Sequence, residues 1–179
     1  MQKLQINCDS QLYLVGYRID DSNTESSDFF TLYFEDERPI DVDGFPIIFF
    51  HPQDMQKALD LSNCGCNHLS IPNALEEYAF IDFAYTVYEI RNENATEYDH
   101  FINCINMTRD FLAMLPEENV PSDFKKILRD ATCHFTFNTQ IDEFFNKYNH
   151  KRELLAQSIE WTLGATLLHA RFIGRPIIV

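Results

Sequence analysis

Ile40-Asp41-Val42-Asp43-Gly44-Phe45-Pro46-Ile47-Ile48-Phe49-Phe50-His51-Pro52 is where the chain changes character. Asp43-Gly44 suits the positive φ angles of a two-residue hairpin turn, so Ile40 to Val42 and Phe45 to Phe50 are expected to pair as strands. Pro39 and Pro46 each remove a ladder donor and belong at an edge or a strand end. Pro52 then suits a first helical turn, and Met55, Ala58 and Leu59 carry helical spacing to about Ser62. Strand patterning lies before this stretch and helical patterning after it.

Toward the N-terminus, Leu12 to Ile19 and Phe29 to Glu35 are alternating or aromatic-rich runs separated by the polar segment Asp20 to Asp28. They predict two further strands, giving an antiparallel meander of about four over residues 1–50. Toward the C-terminus, Asn63 to Pro72 reads as loop. The segment from Ala74 to about Asn92 opens on Asn73-Ala74-Leu75-Glu76, an analogue of a capping box, and is read as helix. The aromatic and β-branched run from Tyr78 to Ile90 keeps a strand open there. As a helix it would be apolar almost all round and hence the central buried element.

The remaining periodicity is plainer. Thr96 is an N-cap candidate ahead of Phe101, Ile102, Ile105, Thr108, Phe111, Leu112 and Leu115, and Pro116 ends that helix. Ser122 is placed as the cap of a helix carrying Phe124, Ile127, Leu128, Ala131 and Phe135, and Thr139 as the cap of one carrying Ile141, Phe144, Phe145 and Tyr148. The last helix spans about Lys151 to Arg171, with Leu155, Ile159, Thr162, Leu163, Thr166, Leu167 and Ala170 as its stripe and Gly164 a mild interruption. The reading is a single α+β domain over 1–179: a β meander in 1–50 packed against a helical part in 51–179, with five or six helices.

Charge separates the possible partners. The chain has 28 acidic and 14 basic side chains, a formal net of −14, beyond the magnitude of about 2 to 8 usual for a small domain. Residues 1–90 hold 16 acidic and 4 basic groups; residues 91–179 hold 12 and 10. A field of that sign repels phosphate backbones and anionic lipid, so no nucleic-acid and no membrane partner is expected, whereas a basic protein would be attracted. The first residues lack the pattern of an export signal and no stretch has the apolar length of a membrane helix, so the protein is read as cytoplasmic. An odd number of cysteines, five, agrees with reduced thiols.

Motifs for chemistry are sparse. With 5 glycines the chain has neither a phosphate-binding loop nor a G-x-S-x-G elbow, so enzymatic activity is not expected. Cys64-Gly65-Cys66-Asn67-His68 offers three soft ligands, which makes a metal- or thiol-dependent protein the alternative reading, with zinc held by Cys64, Cys66 and His68 or a reactive thiol there. Cys133 or His134 would complete such a site. The Cys-x-Cys spacing is shorter than that of structural zinc sites. Carboxylates crowd Asp20 to Asp43, yet an EF-hand fails there, because Pro39 would fall at the first ligand and Phe50 at the bidentate one.

What remains is an acidic docking face in which Glu35, Asp36, Glu37, Asp41 and Asp43 would bind a basic protein partner, set against a solvated β edge that negative charge keeps from aggregating. The expected function is that of a non-enzymatic binding or regulatory protein. In general character it resembles small acidic bacterial proteins that neutralise basic toxins or regulate enzymes. The tail Ile173 to Val179 ends in β-branched residues and is expected to pack within its own chain, which slightly favours a monomer over a homodimer.

Overall fold

A computed structural model describes residues 3–6, 12–20, 27–34, 38–62, 69–70, 79–92 and 97–174. The chain is α+β, with strands in its N-terminal part and helices after them. It divides into two compact units, residues 1–81 with 169–179, and residues 82–168.

The first unit is a mixed sheet. Its strands are β1 (Lys3–Ile6), β2 (Leu12–Arg18), β3 (Phe29–Phe34), β4 (Asp41–Val42), β5 (Phe45–Phe49), β6 (Leu69–Ser70), β7 (Ala79–Asp82, whose last residue opens the second unit) and β8 (Arg171–Ile173). They run in the order β4-β5-β3-β2-β1-β6, with β7 on β2 and β8 on β5. The two outer runs read from the sequence are β2 and β3, in antiparallel register from Leu12↔Phe34 to Tyr17↔Phe29. Every residue of β3 is buried. Leu12, Leu14, Phe30, Leu32, Phe34, Ile47 and Phe49 form one core with Met55, Ala58 and Leu59 of helix α1 (Met55–Leu61). Side chains alternate across a strand, so the same-phase residues of β2, β3 and β5 meet the apolar face of α1. Thr31, of the other phase, satisfies its buried hydroxyl by donating to the Ile47 carbonyl at 2.7 Å.

A turn of 3-10 helix at Pro52–Asp54 leads into α1, as Pro52 predicts. Asn63 to Pro72 is not all loop, because Leu69 and Ser70 pair with Ile6 and Gln5. Beyond α1 the chain departs further from its reading. The segment expected as one helix from Ala74 begins, where it is described, as strand β7, and only then becomes α2 (Phe83–Asn92). Asp82 sets that boundary, since its carboxylate accepts the Tyr85 N–H at 2.8 Å, the bond of an N-cap. Upstream of the cap, Phe80 and Ile81 follow their strand preference. Nor is α2 buried all round, for Tyr85 and Tyr88 are exposed while Thr86 and Glu89 are buried.

The second unit holds α2, α3 (Tyr98–Ala113), α4 (Ser122–Phe137), α5 (Ile141–Tyr148) and α6 (Arg152–His169) up to Leu168. From α3 on, the helices stand close to where the periodicity puts them, although α6 ends at His169 and Arg171 already belongs to β8, and their caps differ. Glu97 precedes α3, Pro121 precedes α4 and Gln140 precedes α5, none with a side-chain cap, while Ser122 is already inside its helix. Thr139 lies one residue too early to cap α5, and the Gln140 N–H is taken instead by Asn138 Oδ1 at 2.8 Å. Thr96 lies outside the described residues.

The core of this unit is aromatic. Phe144 of α5 packs its ring within 5.4 Å, centroid to centroid, of His134, Phe135, Phe145 and Tyr148, and Phe101 of α3 meets Phe135 edge-on at 5.1 Å. Buried hydroxyls on the helices donate back along their own helix: Thr108 to the Cys104 carbonyl, Ser158 to Leu155 and Thr162 to Ser158, each at 2.7 Å. This is how polar residues enter a buried helical stripe without an unpaired donor. Arg91, at the end of α2, bonds Glu153 and Glu160 of α6 through four contacts of 2.8–3.0 Å. The Arg91 guanidinium, and after it Gln157, holds the Glu153 carboxyl below its usual range. All three charges are solvent-exposed, so each pair contributes about 0–1 kcal/mol. Trp161 lies against Phe124 at 5.7 Å, while Leu168 is exposed.

After α6 the chain returns to the first unit. Arg171, Phe172 and Ile173 pair in parallel with Ile47, Ile48 and Phe49, so the start of the tail lies on a strand of its own chain; residues 175–179 are outside the described set. Phe172 stacks on Phe50 at 5.7 Å, and the Arg171 guanidinium lies over the Phe45 ring at 4.3 Å.

Candidate acidic hairpin and the cysteine positions

The acidic candidates divide between described and undescribed residues. Asp41 and Asp43 lie on the hairpin of β4 and β5, whereas Glu35, Asp36 and Glu37 lie outside the described residues. The hairpin turns where the sequence places it, with φ of 54° at Asp43 and 81° at Gly44, both in the left-handed region that two-residue turns require. Asp41 Oδ1 accepts the Gly44 N–H at 3.0 Å and fixes the turn from within.

The pairing around it has a consequence for its position. Pro39 bridges Tyr33, the Ile40 N–H donates to the Leu32 carbonyl at 2.8 Å, and further on Phe49 pairs with Phe30. Residues 39–40 and Phe49 thus both run antiparallel along β3, and the hairpin is a side excursion between them. Its base is closed by the Ile47 N–H donating to the Ile40 carbonyl at 3.0 Å. Nothing in the alternating pattern indicated this branching, since the pattern gives strands and a turn but not which strand resumes the old ladder. The residues next to the undescribed acids are also tied down: the Phe34 N–H donates to the Arg38 carbonyl at 2.8 Å, and Arg38 lies over the Phe34 ring at 5.1 Å.

The zinc alternative rests on Cys64, Cys66 and His68, all outside the described residues. Of the residues named to complete it, Cys133 is an exposed thiol on α4, and His134 is packed against Phe135 and Phe144 with Nε2 3.4 Å from the Gln140 carbonyl. Among the described residues, no group of three His, Cys, Asp or Glu side chains is arranged to hold a metal ion. Among them, too, no helix is long and apolar enough to cross a membrane.

Cys104, on α3, is fully buried. Burial pushes its thiol up to about 12, against a smaller opposing effect of hydrogen bonds with Thr86 and Thr108. A thiol with so little thiolate at neutral pH is a poor nucleophile. In the native protein, iodoacetamide at pH 8 is therefore expected to alkylate Cys133 and leave Cys104 unmodified until denaturant is added. Peptide mass mapping reads both sites, and Cys104 alkylated as fast as Cys133 would contradict the burial argument.

Around Cys104 lies a polar cluster that the sequence did not single out. The Asp82 carbonyl accepts Thr86 Oγ1 at 2.9 Å and lies 3.1 Å from His100 Nε2, and Tyr85 donates its hydroxyl to Glu89 Oε1 at 2.8 Å. The contact of His100 ties α3 to the start of α2, while the other two bonds lie within the α2 segment, and the Thr86 bond satisfies a buried hydroxyl. Its members lie at i+3 and i+4 spacing on α2, but they are interleaved with aromatic residues, which hid them. Comparison with known proteins adds no relative: the chain matches no family model, no curated protein and no solved structure.

Proposed function

We propose that this is a non-enzymatic binding or regulatory protein, of the toxin-neutralising or enzyme-regulating type, that recognises a basic protein partner through the acidic face of its first unit. Glu35, Asp36, Glu37, Asp41 and Asp43 are the recognising residues. The observation that carries the reading is the side-excursion hairpin, closed at its base and fixed at its turn by Asp41. A turn held in this way presents Asp43 with little ordering left to do on binding, which lowers the entropic cost of association. The excess of acid over base in residues 1–90 supports it, because such a field speeds the encounter with a cationic surface and disfavours anionic ones.

The test compares three proteins in partner capture and titration. One is native. In the second, Glu35, Asp36, Glu37, Asp41 and Asp43 become the corresponding amides, which keeps the Asp41 acceptor. In the third, five exposed acids of the second unit, Glu97, Asp99, Glu118, Asp123 and Asp142, are changed in the same way. The first set is expected to weaken capture of the basic partner by at least about tenfold and the second set to leave it near native. Affinity should also fall as salt rises, since exposed charges are screened beyond about 8 Å at physiological ionic strength. Equal weakening by both sets would reduce the effect to net charge, and no weakening by the first would remove the acidic face.

A further inference from the structure

The second unit contains a pocket whose charge is opposite to that of the chain as a whole. It has a volume of about 400 Å³ and is bordered by α3, α4 and the connection between them. Much of its wall is apolar, with Leu112, Leu115, Val120 and Leu128 among the residues that line it, and its charged lining is Arg109, Lys125 and Arg129 against the single acid Glu117. Lys125 is already engaged, for its Nζ donates to the Glu117 carbonyl at 3.0 Å and approaches Glu117 Oε1 at 3.3 Å.

Arg109 and Arg129 are different. Both are exposed, they come from two helices, and among the described residues neither guanidinium has a hydrogen bond, an ion pair or a ring contact. In a chain with twice as many acids as bases, one small pocket thus carries two guanidinium groups with no acidic partner among the described residues. An anion held by both would gain charge-assisted hydrogen bonds from each.

We propose that this pocket binds a small phosphate monoester on an apolar or aromatic body. Two features select that class. The two uncommitted positive charges match a phosphate monoester, which carries about −1.5 to −2 at neutral pH, better than a carboxylate with a single charge. The leucine and valine wall gives an apolar body somewhere to leave water, and the volume falls in the range of about 300–1,000 Å³ that holds small organic ligands. Arg109 and Arg129 hold the head, and Leu115, Val120 and Leu128 take the body.

The experiment titrates the full chain with phenyl phosphate as the probe and follows backbone amide shifts of residues 109–129 by NMR. Phenol, inorganic phosphate and benzoate are the comparison ligands. Saturable shifts are expected with phenyl phosphate at a dissociation constant below about 1 mM, at least tenfold tighter than with any of the three. The double variant Arg109→Ala, Arg129→Ala should weaken it by at least about tenfold, while Lys126→Ala, on the same helix but outside the pocket lining, should not. Both arginines are surface residues, and unchanged circular dichroism of the double variant verifies that it folds. Phenol binding as tightly as phenyl phosphate, or the double variant binding normally, overturns the site. Benzoate binding as tightly overturns the phosphate assignment. A phosphotyrosine peptide that binds more tightly than phenyl phosphate overturns a free small molecule as the ligand in favour of a modified protein.

Discussion

Replacing Phe144 with alanine is expected to lower the stability of the helical unit by about 3–5 kcal/mol, the range for removing a buried aromatic ring. Phe144 is 1% exposed and stands at the centre of the ring cluster formed by His134, Phe135, Phe145 and Tyr148. Its removal takes one partner from four aromatic contacts at once. The side chains around the void come from α4 and α5 and cannot all close on it without leaving their own rotamer wells. Urea unfolding followed by the fluorescence of Trp161, in the same unit, gives the measurement. Phe137→Ala is the comparison, because that ring sits on α4 at 91% exposure and its loss should change stability by less than about 0.5 kcal/mol. Similar unfolding midpoints for the two variants would mean that the cluster is not the core of this unit.

Gly174→Ala is expected to cost about 2–3 kcal/mol, although it adds a single methyl group. Two causes add. Gly174 has φ of 82°, in the left-handed region that alanine enters at a cost of about 1–2 kcal/mol. A Cβ there would also lie 2.8 Å from Asp54 Oδ2. Asp54 cannot readily withdraw, because it is 7% exposed and its Oδ1 is held by Lys57 Nζ at 2.6 Å. The two causes separate experimentally. Gly44→Ala meets the same φ penalty at 81° with nothing within 4 Å of the new Cβ, so it should show the conformational part alone. Adding Asp54→Ala to Gly174→Ala removes the steric part, so the two changes together should cost less than their sum in a denaturation cycle. A Gly174→Ala protein as stable as the native one would exclude the close approach of Gly174, the residue after β8, to the turn that starts α1.

Those residues also show which features were legible in the sequence. The Asp43-Gly44 turn, the strands on either side of it and the helices of the second unit were legible, because each is specified by local chemistry: a dipeptide that tolerates positive φ, or an apolar stripe at helical spacing. Helix caps were less legible, since Ser122 and Thr139 are competent caps, yet the helices begin after Pro121 and Gln140, which make no side-chain cap. The strand–helix junction at Asp82 was missed for a related reason. Aromatic and β-branched residues lie on both sides of it, so periodicity alone leaves the boundary unmarked, and the carboxylate that marks it looks in sequence like any other acid. Side branching at the hairpin and the parallel partner of β8 depend on pairing between residues far apart, which local patterning does not encode. Of the candidate sites, the acidic run was visible as composition. The pocket between α3 and α4 was not, because Arg109 and Arg129 are separated by 20 positions and acquire a shared meaning only once the helices lie side by side.

The pairing of Ile47 to Phe49 with Arg171 to Ile173 sets an order of events for the nascent chain. All of residues 82–168 emerge from the ribosome between one partner of that ladder and the other. The helical unit, contiguous in sequence, is complete before β8 exists and can fold during synthesis at its own pace. The sheet is left waiting, with one side of β5 unpaired until β8 emerges, a state in which a strand is open to pairing with another chain. Closing the loop between the two partners is entropically cheap for its length, because that cost grows only with the logarithm of the residues enclosed, and a prefolded insert shortens the effective span further. Translation speed across the region encoding α3 to α6 therefore sets how long that edge stays open, and slow synthesis there is expected to raise aggregation without changing the stability of the finished protein.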